Sequence, residues 1–215
     1  MNIAILANGQ FPAAPQPLSL LLSADHIVCC DAAYDNLLAA LPDIPTPLTV
    51  IGDLDSINST PHNLTSIRIS DQNTNDLTKA VHYTLSNLHP TSITILGATG
   101  LREDHTLGNI SLLADYQQLC QQLPVPITPV ICTDTGLFTP ISSPTTFPSF
   151  PRQQVSIFAL DPTILITTTG LQYPLSGQPL PSLWQGTLNS SLSDQFSITP
   201  SHGTLLIYQT HLPKS

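Results

Sequence analysis

Across its first 121 residues the chain alternates short apolar runs with stretches of helical periodicity, and beyond Cys132 that alternation stops. "NIAILA" precedes "PLSLLLS", "HIVCC" precedes "AAYDNLLAAL", and "LTVI" precedes a polar segment. "SIRI" then precedes "NDLTKAVHYTLSNL", and "SITIL" precedes "EDHTLGNISLLADYQQLC". Strands that alternate with helices pack as an α/β domain, with a mostly parallel sheet covered on both faces. Five polar loops, "NGQ", "DAAYD", "GDLDS", "SDQNTND" and "GATGLRED", follow the five strands. In such sheets ligands bind beyond the carboxyl ends of the strands, so these loops are expected to meet at one functional edge.

The remainder reads differently. After the Pro, Ser and Thr-rich "TPISSPTTFPSFP" come short β-type runs, "VSIFAL", "TILITTTG", "FSIT" and "TLLIYQT", separated by Gly, Pro and Asp and without a convincing helix. A small all-β sandwich is expected here, with the boundary near residue 135: residues 1–135 form the α/β domain and 136–215 the sandwich.

Charge narrows the function classes. Five Lys and Arg against 14 Asp and Glu leave a formal net charge of -9, which argues against a nucleic-acid backbone as partner. A phosphorylated small molecule stays compatible with that charge, because a bound divalent cation supplies the positive charge the chain lacks. No apolar run reaches the roughly 18 residues of a membrane span, and the short apolar run in "MNIAILANGQF" has no basic residue before it, unlike the pattern expected of a signal peptide. The four cysteines show no metal-ligand spacing and are expected to be buried free thiols. A cytoplasmic protein is expected.

Three motifs carry chemistry. In "GDLDS", Asp53 and Asp55 lie two apart after a strand, which in extended backbone sets their side chains about 7 Å apart, close enough to share Mg²⁺. A turn or helix cap explains the same tripeptide about equally well. In "SDQNTNDLTKAV", Asp76 and Lys79 share a helix face at i, i+3. Asp76 is either a metal ligand or a first-turn acid favoured by the helix dipole, Lys79 a phosphate-site cation or a solvated charge, and Thr74 and Asn75 are N-cap candidates. In "GATGLREDHTLGN", Gly97 and Gly100 permit close backbone approach, and Arg102 and Asp104 open a helix with His105 and Asn109 on one face. The spacing is neither that of a Walker A loop nor that of a dinucleotide fingerprint. Trp184 is expected in the core or at a rim. Taken together, Asp53, Asp55, Asp76 and Asp104 form a set that repels itself unless a cation sits within it, and Lys79 and Arg102 beside such a cation suit a polyphosphate.

The order "GDLDS", then "DQNTND..K", then "G..G.REDH...N" resembles the thiamine pyrophosphokinase family, and "TTTGLQYPL", "GTLNSSL" and "HGTLLIY" are similar to that family's β-domain segments. The resemblance implies a homodimer that transfers pyrophosphate from ATP to thiamine, leaving AMP. By motif position it implies Asp53, Asp55 and Asp76 as the Mg²⁺ and phosphate-site acids. Gln72, Arg102 and Asp104 match active-site side chains, with Lys79 and Asn109 beside them. Tyr173, Asn189 and Ser190 match the thiamine-contacting positions. Leu101 stands where the family commonly has Gly, and "LNSS" where it commonly has "SNE". Two rivals remain open at this point: a metal-dependent nucleotide-sugar transferase, and a non-catalytic thiamine or nucleotide sensor.

Overall fold

The computed structural model describes residues 1–52, 65–69 and 73–213. The five expected strands form as β1 (Asn2–Leu6), β2 (His26–Cys30), β3 (Leu48–Gly52), β4 (Thr65–Arg68) and β5 (Ser92–Leu96). The helices between them are α1 (Pro15–Leu22), α2 (Ala33–Ala40), α3 (Asp76–Asn87) and α4 (Glu103–Gln121), the last leading to β6 (Val130–Cys132). All six strands run parallel, in the spatial order β6-β5-β1-β2-β3-β4.

Strand periodicity explains why both faces are covered. Ile3 and Ile5 of β1, Val28 and Cys30 of β2 and Ile51 of β3 pack with Leu77, Ala80 and Val81 of α3 and Leu113 and Tyr116 of α4. Ala4, Leu6, Ile27, Cys29 and Val50, one residue out of step, pack with Leu21 of α1 and Tyr34 and Leu37 of α2. The adjacent Cys29 and Cys30 therefore enter opposite cores.

Burial raises the thiol pKa of Cys29 to about 12 and those of Cys120 and Cys132 to about 11. All four cysteines are free and buried. A thiol-specific disulfide reagent at pH 8 is therefore expected to leave the four untouched over minutes in the native protein and to titrate all four in denaturant. Rapid native-state labelling would contradict this burial.

The same sheet continues into the C-terminal half. β7 (Gly136–Ile141) pairs antiparallel with β6. After β8 (Thr145–Pro148) and β9 (Gln153–Ala159), β10 (Ile166–Thr169), β11 (Ser176–Gln178), β12 (Asn189–Ser190), β13 (Gln195–Pro200) and β14 (Leu205–Pro213) complete the chain. The large sheet has ten strands in the order β12-β9-β14-β7-β6-β5-β1-β2-β3-β4, and a second sheet runs β11-β10-β13-β8. β9 alternates buried Gln153, Val155, Ile157 and Ala159 with less buried neighbours, as one face of a sandwich requires. Val155, Ile157, Leu205 and Ile207 of the large sheet meet Phe147, Ile166, Phe196 and Ile198 of the small one in a single core. Among the described residues of this half the helical content is one 3-10 turn, Leu183–Gly186. Trp184 on that turn is 74% exposed, a rim residue rather than part of a core.

Candidate functional site

β1 through β4 wind outward in one direction, whereas β5 crosses back to the other side of β1, so the winding reverses between β1 and β5. Loops leaving the carboxyl ends of strands at such a reversal part and leave a crevice. Before parting, the β1 and β5 loops are tied by backbone bonds from Gly9 N–H to Gly97 O (2.7 Å) and from Gln10 N–H to Thr99 O (2.8 Å). Gly97 has φ +64° and Gly100 φ +98°, left-handed backbone open to glycine at little cost. A Cβ on Gly97 would stand 2.4 Å from Ala7 O.

Two strands away, acidic groups gather over β2 and β3. Asp76 opens α3, whose N-cap Asn75 accepts a hydrogen bond from Thr78 N–H through Oδ1 at 2.8 Å. Lys79 donates to Asp76 Oδ1 at 2.9 Å and is only 7% exposed, against 39% for Asp76. The solvated alternative for Lys79 is thereby excluded: it is a buried cation paired with Asp76. Asp31, which follows β2, also belongs here. Its backbone N–H bonds to Ile51 O, and its side chain lies so close to Gly52 that a Cβ there would be 2.9 Å from Asp31 Cβ. The Cys30 thiol between these acids is pushed well above its ordinary range by burial, then by Cys29, Asp76 and Asp31.

Sequence reasoning missed Asp31 because a lone Asp after a strand reads as a turn. The available signal was positional: Asp31 follows β2 as Asp53 follows β3, and these strands are neighbours. Asp53, Asp55 and Gln72 lie outside the described residues. Among the described residues, no three His, Cys, Asp or Glu side chains group as ligands for a metal.

Arg102 and Asp104 form a separate pair at the tip of α4, 68% and 64% exposed, joined through Arg102 Nε and Nη2 to the two carboxylate oxygens. This bond, with the backbone N–H of His105, holds the Asp104 carboxyl down at about 2, and the Arg102 guanidinium is raised above its ordinary value. Asp104 is therefore ionised throughout the neutral range. Thr78 of α3 bonds Tyr116 of α4 at 2.8 Å, twelve residues beyond Asp104, or about 18 Å along a helix rising 1.5 Å per residue. Asn109 Nδ2 donates to Ala98 O at 2.8 Å, tying α4 to the glycine loop, whereas His105 is exposed.

In the sandwich the three candidates converge. Tyr173 N–H donates to Asn189 Oδ1 (3.0 Å), Asn189 Nδ2 donates to Tyr173 O (2.8 Å), and Ser190 Oγ donates to Gln172 Oε1 (2.7 Å). Tyr173 and Asn189 line a small cavity of about 130 Å³.

Two family models account for most of the chain. The thiamin pyrophosphokinase catalytic domain matches residues 18–125, and the thiamin pyrophosphokinase substrate-binding domain matches residues 136–208. The chain belongs to the thiamin pyrophosphokinase family. Solved thiamin pyrophosphokinases share its fold. The Bacillus subtilis enzyme is 23% identical with a TM-score of 0.76, over 97% of this chain and 98% of that one. The yeast enzyme is 20% identical with a TM-score of 0.75, over 97% and 86%. A thiamin pyrophosphokinase family protein from Enterococcus faecalis is 21% identical with a TM-score of 0.77, over 98% and 99%. No curated protein sequence matches the chain significantly.

For a thiamin pyrophosphokinase, the fork between Arg102 and Asp104 has a measurable consequence. Lys cannot reproduce two parallel N–H bonds to one carboxylate, so Arg102→Lys is expected to lower kcat/KM for ATP by about 10–100-fold. Both side chains are largely exposed, so thermal stability should move little. Steady-state kinetics with a melting curve checks both; unchanged kcat/KM would remove Arg102 from the site.

Proposed function

We propose that the carboxyl edge of the parallel sheet binds ATP and that the thiamine hydroxyl attacks its β-phosphorus in line. A bond forms from that oxygen to the β-phosphorus, the bond between the β-phosphorus and the bridging oxygen to the α-phosphorus breaks, and AMP departs with the electron pair. The hydroxyl proton passes to solvent water as the new bond forms. The observation that carries this reading is the gathering of Asp31 and Asp76 beside the end of β3, with Lys79 buried against Asp76.

Asp31, Asp53, Asp55 and Asp76 are the proposed holders of Mg²⁺. Carboxylate oxygens are the hard donors this ion takes, and the ion, when bound, neutralises phosphate charge. Lys79 and Arg102 supply protein-borne positive charge, Asp104 orients Arg102, and Asn109 holds the glycine loop. Gln72 is proposed as a further substrate contact. Transfers of this kind depend mainly on positioning and charge neutralisation, which suits a site of fixed ions without a covalent intermediate.

Residues 1–135 are proposed as the ATP-binding catalytic unit and 136–215 as the thiamine-binding and dimerisation unit. Tyr173, Asn189 and Ser190 are the thiamine contacts. The homodimer reading is supported by Tyr173, Trp184 and Leu188, large apolar side chains exposed around Asn189. A cytoplasmic location is supported by the four free thiols. Among the described residues no helix is long and apolar enough to cross a membrane.

The test is to incubate the purified protein with thiamine, ATP and Mg²⁺ and to measure products. AMP and thiamine diphosphate in equal amounts are expected. Binding of both substrates without turnover would contradict the proposal.

A further inference from the structure

α1 begins without a cap of its own. Its N-cap position is Ala14, which offers no side-chain acceptor, and Pro15 and Pro17 take the first and third helical positions. In a capping box the side chain at the third position accepts the N-cap backbone N–H, a task proline cannot perform. Here the acceptor comes from the turn between β6 and β7. Asp134 Oδ1 accepts from the backbone N–H groups of Ala13 and Ala14 at 2.9 and 3.0 Å, across 121 and 120 positions of the chain.

We infer that Asp134 is a positioning residue for the transfer reaction: it clamps segment 8–14, and through that segment the glycine loop 97–100, at the crevice. This rests on the ATP-dependent reading above and adds to it a residue that acts through the backbone it holds rather than on substrate.

Segment 8–14 joins the site to the clamp. Asn8 and Gly9 line a cavity of about 330 Å³ that also contains Arg102 and Asn109. Asn8 Oδ1 accepts from Asn36 Nδ2 of α2 at 3.0 Å, Gly9 and Gln10 donate to Gly97 O and Thr99 O, and Asp134 holds the far end. The contact with the glycine loop leaves no slack: a Cβ on Gly100 would stand 2.6 Å from Gln10 Cβ, and one on Gly9 2.3 Å from Gly97 O. A shift at Ala13 and Ala14 therefore passes to the glycine loop.

Asp134 serves as a fixed point because its own turn is braced. Thr133 Oγ1 accepts from Gly136 N–H at 3.1 Å and from Thr135 N–H at 3.3 Å, and Thr133 N–H donates to Gly136 O at 2.9 Å. β14 holds the turn from outside. His211 donates from Nε2 to Thr133 O (2.8 Å) and from its backbone N–H to Thr135 O (3.1 Å), and the Thr135 and Tyr208 hydroxyls bond at 2.7 Å. The same strand buries Leu205 and Ile207 in the sandwich core, so the sandwich sets the position of the loop after β1.

The clamp needs an acceptor oxygen more than a charge. Both bonds end on one carboxylate oxygen, a role an amide oxygen also fills. Asp134→Asn keeps the acceptor and removes the charge, whereas Asp134→Ala removes both. A residue that met substrate through its charge would fail in both variants.

Steady-state kinetics, calorimetric titration of ATP with Mg²⁺ and amide hydrogen exchange, all on the full chain, test this. Asp134→Ala is expected to raise both KM and Kd for ATP about tenfold, with KM for thiamine within about twofold of the parent. Exchange at Gly9, Gln10, Ala13 and Ala14 should quicken about tenfold or more in the same variant. Asp134→Asn should stay within about threefold of the parent in every one of these, the residue of a weaker, uncharged acceptor. A merely structural anchor would lower Tm and the active fraction, hence kcat, and leave KM for ATP unchanged. Unchanged ATP affinity in Asp134→Ala, equal losses in the two variants, or undisturbed exchange at Ala13 and Ala14 would each overturn the inference. Product analysis separates the two claims. A parent that makes thiamine diphosphate while Asp134→Ala keeps full ATP affinity sinks the clamp alone. A parent that makes none, yet loses ATP affinity and amide protection in Asp134→Ala, sinks the transfer reading alone. A parent that binds no ATP overturns both.

Discussion

Replacing Asp76 by Asn is expected to lower kcat by about 10²–10³-fold, the effect of removing one preorganised charge-stabilising group from a phosphoryl-transfer site. The change is nearly isosteric, and the N-cap bond from Thr78 N–H to Asn75 is untouched, so α3 keeps its start. What is lost is the counter-charge of Lys79, whose side chain is only 7% exposed and whose ammonium is bonded to Asp76. Because Asp76 is itself 39% exposed, solvent screens much of the pair, and the stability cost should stay near 1–2 kcal/mol rather than the larger penalty of breaking a fully buried pair. Kinetics and denaturant unfolding on the same preparation separate the two effects. A variant with wild-type turnover would show that the acids over β2 and β3 are structural.

Gly97→Ala should produce the largest loss of stability. An L-residue at φ +64° costs roughly 1–2 kcal/mol. Its Cβ would in addition stand 2.4 Å from a backbone oxygen of the adjoining loop, and forced overpacking of that kind adds roughly 1–3 kcal/mol. A total of about 2–5 kcal/mol corresponds to a Tm fall of roughly 5–15 °C for a chain of this size. Activity should fall with it, because that loop bounds the crevice at the winding reversal. Gly108 supplies the control: a Cβ there meets nothing within 4 Å, and Gly108→Ala in α4 should be neutral or stabilising by up to about 1 kcal/mol. Equal melting temperatures for the two variants would contradict the loop geometry.

The α/β half was legible because hydrophobic period reports directly on which face a residue buries. Val28 and Cys30 against Ile27 and Cys29 form an alternation that leaves few other packings. Strand pairing beyond chain order was not legible. "VSIFAL", "TILITTTG", "FSIT" and "TLLIYQT" read as strands, but nothing local says that β9 and β14 extend the first sheet while β10 and β13 belong to the second.

Site residues divide along the same line. The pairing of Asp76 with Lys79 follows from helix spacing, but its burial depends on packing of α3 against β2 and β3 that a single helix does not encode. Asp31 required knowing that β2 and β3 are neighbours. Asp104 was grouped with Asp76 as one of four acids on three loops; the bond that joins α4 to α3 lies at Tyr116, twelve residues beyond Asp104, a relation no local pattern encodes. The Asp134 anchor for the start of α1 joins residues about 120 positions apart and has no local signature.

The most direct test of the central claim, that two phosphoryl groups move together from nucleotide to thiamine at this sheet edge, is phosphorus NMR of a single reaction mixture containing thiamine, ATP and Mg²⁺. The account predicts that the AMP resonance and the paired resonances of thiamine diphosphate grow together as ATP disappears, with no ADP at any time and the whole conversion slowed about 10²–10³-fold in Asp76→Asn. Growth of ADP with thiamine monophosphate, or AMP formed together with free pyrophosphate and unmodified thiamine, would contradict it.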